Sequence, residues 1–100
     1  MSNTIEPYGS GKEPSGYMFY CPGCKEHHGF AVKGKKTWTF NGDREKPTFA
    51  PSLLLRTPFP DGDRICHLFL REGVVQFLGD CTHDLAGTYY ILPQEGNDHE

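Results

Sequence analysis

Short runs in which apolar and polar residues alternate make up most of the chain, and glycine or proline separates each run from the next. A period of two residues is typical of strands that bury one face. The pattern predicts strands at residues 17–20, 29–33, 37–41, 52–56, 65–70, 74–78 and 88–92. One short helical turn is expected after Thr82, with Gly87 as its end. The predicted class is mainly β: a small single-domain antiparallel fold of hairpins.

Two of the connections predict hairpins. Residues 29–33 and 37–41 flank the turn Gly34–Lys36, and alternation in the second run places Trp38 and Phe40 on one face. Residues 65–70 and 74–78 flank a turn in which Gly73 can supply a positive φ.

Composition divides the chain into three parts. Residues 1–16 are rich in Gly, Ser and Pro and predict a flexible, unanchored arm, residues 17–93 predict the β domain, and residues 94–100 form an acidic tail. With 36% hydrophobic residues in a chain of 100, the core is modest, and a bound metal would help to stabilise it.

Net charge and hydropathy limit the classes of partner that the chain is expected to bind. The net charge is −3, and basic residues cluster only at Lys33–Lys36, which does not favour nucleic acid. No signal peptide opens the sequence and no apolar run is long enough to cross a bilayer. The sequence therefore predicts a cytoplasmic protein whose substrate or partner is a protein or peptide, with its oligomeric state left open.

The cysteines predict a zinc site. In Cys21-Pro22-Gly23-Cys24 a tight turn aims two sulfurs at one point, as in zinc knuckles. Without secretion, disulfides are disfavoured, and the polar segment after Cys24 does not resemble the helix of a thioredoxin-type redox pair. The candidate ligands are Cys21, Cys24, Cys66, Cys81 and His83, with His67 a competing choice and His27 and His28 as spare candidates.

Four blocks in the same order carry a resemblance to a known family: Trp38–Gly42, Pro47–Leu54, Cys66–Phe69 and Phe77–Gly87. Over residues 17–93 the chain resembles a small phage and prophage family of unassigned function. Its members are often labelled ammonia monooxygenase, which this chain does not fit because it has no membrane span and no obvious copper site. Relatives lie beside bacterial ubiquitin-like conjugation genes, and the resemblance implies a peptidase that acts on the ubiquitin-like protein.

A peptidase needs a nucleophile, a base and an orienting acid, and Ser52, His67 and Asp80 can supply them. Because neighbouring strand residues face opposite sides, Cys66 can face a metal while His67 faces a pocket. Each residue also has a structural interpretation. Ser52 can be a turn hydroxyl, His67 a core histidine or zinc ligand, and Asp80 the cap of the short helical turn.

Two other functions stay open. In a metal-dependent hydrolase, His67, Asp80 and His83 would bind the catalytic ion, and Glu72 or Asp84 would act as the base. In a non-catalytic zinc module, the loops Asn41–Pro47 and Thr57–Arg64 would bind a phage or host protein. The serine mechanism requires Ser52 within hydrogen-bond reach of His67, whereas the module does not.

Overall fold

The computed structural model describes residues 5–9, 12–35 and 37–93. These residues form two antiparallel sheets, one with the strand order β1-β2-β3 and one with the order β4-β5-β6-β7-β8. The strands are β1 (Glu6–Tyr8), β2 (Gly16–Cys21), β3 (Glu26–Ala31), β4 (Thr39–Phe40), β5 (Phe49–Thr57), β6 (Arg64–Arg71), β7 (Val74–Phe77) and β8 (Tyr89–Ile91). The predicted mainly β, antiparallel class is confirmed.

The segment after β7 contains turns where one helical turn was expected. Ala86 N–H donates to the His83 carbonyl at 3.3 Å, and Thr88 N–H donates to the Leu85 carbonyl at 3.0 Å. Gly87, with φ of 79°, then redirects the chain into β8. No helix occurs in the described ranges, and therefore none that could span a membrane.

One predicted hairpin is confirmed and the other is wrong. The β6–β7 hairpin turns at Glu72 and Gly73, both with positive φ, as its two-residue turn requires. In contrast, β3 pairs with β2 and β4 pairs with β5, so these two strands lie in different sheets. Alternation identified the strands but not their partners, because β3 is already paired through the short knuckle turn.

Part of the predicted arm belongs to the fold. The strand β1 pairs with β2, and the Ile5 side chain is only 1% exposed. The expectation of an unanchored arm is therefore wrong for the described residues before Tyr17, because a single apolar side chain and a short strand suffice to anchor a Gly-rich segment. The predicted tail, residues 94–100, lies outside the described residues.

Stacked aromatic rings hold the two sheets together. Phe30 of β3 stacks on Phe49 of β5 with ring centroids 4.3 Å apart, and Phe40 stacks on the same ring at 4.7 Å. Trp38 contacts Phe30 edge-on at 5.6 Å. Such pairs add about 0.5–1.5 kcal/mol each beyond the burial of their area. The stack fixes Phe49, the first residue of β5.

The pairing of β5 with β6 is interrupted immediately after Phe49. Phe49 lies opposite Leu70, and regular pairing resumes only at Leu53 opposite Leu68. The intervening residues include Ser52 and form a bulge, a feature that redirects side chains and is frequent beside active sites.

Candidate active site

Ser52 and His67 lie together on neighbouring strands. Ser52 Oγ is 3.4 Å from His67 Nε2, and both residues are partly buried. The bulge in β5 carries Ser52, and regular strand geometry carries His67 on β6. A nucleophile and its base are often this loosely spaced before substrate binds.

Asp80 orients the other side of the imidazole. Its carboxylate oxygens lie 3.0 and 3.2 Å from His67 Nδ1. Asp80 sits in the turn after β7, where Cys81 N–H donates to the Leu78 carbonyl at 3.2 Å. A proton on Nδ1, donated to the carboxylate, leaves Nε2 free to accept the Ser52 proton.

Two further side chains hold the main chain of this site. The Cys81 thiol lies 3.3 Å from His67 N and 3.2 Å from His67 O, so that it accepts from one group and donates to the other. The Trp38 indole Nε1–H donates to the Ser52 carbonyl at 3.2 Å. The main chains of Ser52 and of His67 are therefore each fixed by a side chain from another segment.

A second cluster lies beside this site, on the opposite face of β6. One ligand atom from each of Cys21, Cys24, His28 and Cys66 lies within 4.8 Å of the others. Cys21 Sγ is 3.9 Å from Cys66 Sγ and accepts from Cys24 N–H at 3.4 Å. His28 is 5% exposed, and among the described residues its Nε2 has no hydrogen-bond partner. The three sulfurs and the unpartnered nitrogen of the one imidazole make four ligand atoms that could hold a metal ion.

The pKa values of the three thiols in this cluster are shifted in different directions. The hydrogen bond from Cys66 lowers the pKa of Cys21 to about 4. Burial and then the Cys21 thiolate raise the pKa of Cys24 to about 11, and the hydrogen bond to Cys21 and then burial raise that of Cys66. A bound divalent cation would favour the thiolate at all three positions.

Three of the five predicted zinc ligands converge, namely Cys21, Cys24 and Cys66, and the spare candidate His28 joins them. The other two, Cys81 and His83, form a smaller group with Cys66. The sequence carried a signal for His28, because His28 lies two residues before the apolar Phe30 in an alternating strand and therefore on the same buried face.

The hydrogen bonds of His83 indicate that its ring holds Cys66 in place and does not bind a metal ion itself. His83 Nδ1 accepts from Leu85 N–H at 3.2 Å. A neutral imidazole that accepts at Nδ1 carries its proton on Nε2. The Nε2–H then donates to Cys66 Sγ, 3.5 Å away, and is not free to bind a metal.

The alternative metal-dependent hydrolase has less support from the geometry. His67, Asp80 and His83 do not form a metal-binding group within the described ranges. The two nitrogens of His67 instead face Asp80 and Ser52. The fold brings Ser52 and His67 into contact, which the serine mechanism requires and a non-catalytic module does not.

A serine, a histidine and a carboxylate joined in this order have the arrangement of a serine hydrolase. Residues 3–78 match the family model described as "Bacterial ubiquitination-like system serine protease (BubE)", and the chain belongs to this family. The matched region includes Cys21, Cys24, Ser52, Cys66 and His67 and ends two residues before Asp80. No curated protein and no solved structure matches the chain. The resemblance to relatives of ubiquitin-like conjugation systems is confirmed, and the phage link stays a prediction.

Proposed function

We propose that this protein is a serine protease that cleaves a polypeptide segment joined to the ubiquitin-like protein of a bacterial conjugation system. The observation that carries the proposal is the continuous hydrogen-bonded path from Ser52 through His67 to Asp80 in a chain of this family. Cleavage that removes this segment would mature the ubiquitin-like protein or release it from a conjugate.

Catalysis begins with proton transfer from Ser52 Oγ to His67 Nε2 as the oxygen attacks the scissile carbonyl. The imidazolium that forms is stabilised by the Asp80 carboxylate against Nδ1. His67 then gives the proton to the departing amine, which leaves an acyl group on Ser52. Water, deprotonated by the same imidazole, releases the acid and regenerates the hydroxyl.

The metal in this proposal is structural. Cys21 and Cys24 of the knuckle, His28 of β3 and Cys66 of β6 would hold a zinc ion that joins the two sheets. Bound zinc contributes folding energy to a small domain with a modest core. Because Cys66 directly precedes His67, fixing its sulfur also fixes the strand position of the base.

The test is covalent labelling of the purified protein by a fluorophosphonate, a small probe that reacts with activated serines, read by intact mass. We expect one adduct per chain, absent from Ser52→Ala and retained in the control Ser15→Ala. A matched melting temperature shows that Ser52→Ala folds. An unlabelled native protein, or an adduct that persists in Ser52→Ala, would contradict the serine mechanism.

A further inference from the structure

The strand that carries Ser52 is paired along most of one edge and only at its start along the other. β6 pairs with β5 from Leu53 to Thr57, whereas β4, on the other edge, pairs only with Phe49 and Ala50. Beyond Ala50 this second edge runs past Ser52 to the end of β5. An unpaired strand edge presents main-chain donors and acceptors that an incoming chain can bind.

The orientation of these groups follows from the pairing of β6. His67, opposite Leu54, turns its main chain away from β5: its carbonyl accepts from Leu78 N–H at 2.9 Å, and its N–H donates to Cys81 Sγ at 3.3 Å. In an antiparallel ladder, two opposite residues either exchange hydrogen bonds or both point their polar groups outward. The N–H and C=O of Leu54 therefore point to the open edge.

Arg56 repeats this geometry two residues further on. It lies opposite Ile65, whose N–H donates to Thr82 Oγ1 at 3.0 Å and whose carbonyl accepts from Thr82 N–H at 2.9 Å. Within the described ranges, no hydrogen bond to another segment engages the main chain of Leu54 or Arg56 at this edge. The Ser52 carbonyl faces the same way and accepts from Trp38.

We propose that an extended segment of the polypeptide substrate pairs with the open edge of β5 through the main chain of Leu54 and Arg56, which brings its scissile carbonyl to Ser52. This proposal rests on the proposed function. The two residues offer alternating donors and acceptors at the two-residue repeat of a strand, about 6.6–6.8 Å, and another extended main chain matches that repeat. The occupant is an unfolded tail, since a folded surface cannot supply such a ladder unless it has an open edge of its own.

The side chain of Leu54, beside this edge, suits a peptide ligand. Leu54 is 50% exposed, although it is a large apolar residue, and it lies directly opposite His67. It can cover an apolar side chain of the substrate next to the reacting groups. Recognition by main-chain bonds would tolerate varied tails, with Leu54 adding a preference for apolar residues.

The test compares peptidyl diphenyl phosphonates that carry one or four residues and react covalently at Ser52. The readout is the ratio of the inactivation rate constants of the four-residue and one-residue probes, measured separately in each variant. Arg56→Pro and Leu54→Pro each remove one N–H that points to the open edge and keep the hydrogen bonds between β5 and β6. Proline is tolerated at such edge positions, where its missing N–H would face solvent. Ile91→Pro is the control, because Ile91 is 70% exposed at the far edge, and its neighbour Leu92 makes the bond to Gly73.

We expect the native ratio to be at least tenfold, and each β5 proline to reduce it by about three- to tenfold, the effect of one net hydrogen bond. Ile91→Pro should keep the native ratio. A native ratio near one, or equal ratios in native protein and both β5 variants, would overturn this proposal while labelling of Ser52 still supports the protease. No reaction with either probe would overturn the protease and this proposal together. Sedimentation that shows a dimer abolished by Arg56→Pro would make a second copy the occupant and also overturn it.

Discussion

The thiol of Cys81 bridges the main-chain N–H and C=O of His67, with Sγ 3.3 Å from the nitrogen and 3.2 Å from the oxygen. The His67 carbonyl also accepts from Leu78 N–H at 2.9 Å, so Cys81 supplies the partner of the His67 N–H and a second partner of its carbonyl. Because Asp80 directly precedes Cys81, one short turn fixes both the backbone and the imidazole of the proposed base.

Removal of this bridge should lower reactivity without loss of metal. In Cys81→Ala, the His67 N–H loses its partner, while the His67 carbonyl keeps the bond from Leu78 N–H. An unpaired, partly buried donor costs about 1–3 kcal/mol in stability. We expect a lower melting temperature and about tenfold slower fluorophosphonate labelling of Ser52, with one equivalent of zinc retained by elemental analysis. Loss of zinc from this variant would instead make Cys81 a ligand.

His28 and His83 compete for the fourth position of the metal site, and their substitution separates them. His28→Ala removes the unpartnered nitrogen of the cluster and should reduce zinc to well below one equivalent, with a fall in melting temperature. His83→Ala removes the donor to Cys66 and the acceptor of Leu85 N–H, but no metal ligand, and should keep the zinc. Elemental analysis after dialysis against a mild chelator measures both, and the reverse result would assign the ligand to His83.

The sequence predicted the mainly β class and most strands, because alternation is a local signal. Ser52, His67 and Asp80 were named from the family resemblance and from the groups that a peptidase needs. It did not predict that β4 joins the second sheet, because the partner of a strand is decided by distant packing such as that of Phe40 on Phe49. The anchoring of β1 through Ile5 was missed for the same reason. The choice between His28 and His83 depends on which ring nitrogen is free, and only the fold shows the Leu85 bond that occupies His83.

The Asp80 carboxylate is expected to control the tautomer of His67. In Asp80→Asn the amide can donate to Nδ1, which would move the ring proton to Nε2 and prevent it from accepting from Ser52. We expect labelling of Ser52 to slow by about 10³- to 10⁴-fold, as in other triads, with little change in melting temperature. The control Asp61→Asn alters an exposed carboxylate outside the site and should label at the native rate. Native-rate labelling of Asp80→Asn would remove Asp80 from the mechanism.

Trp38 connects the aromatic stack to the proposed nucleophile, since its ring contacts Phe30 while its Nε1–H donates to the Ser52 carbonyl. Trp38→Phe keeps an aromatic ring for packing but removes the donor, so the bulge that aims Ser52 loses one restraint. We expect about 1 kcal/mol lower unfolding free energy, the net value of one hydrogen bond.

Labelling by fluorophosphonate should slow in Trp38→Phe by about three- to tenfold, which is more than the change in the folded fraction explains. Phe40→Leu is the matched comparison, because it weakens the stack on Phe49 without touching Ser52. It should lower the melting temperature at least as much and label nearly as fast as the native protein. Equal slowing in both variants would show that Trp38 acts through core packing alone, and the indole would then have no separate part in positioning the nucleophile.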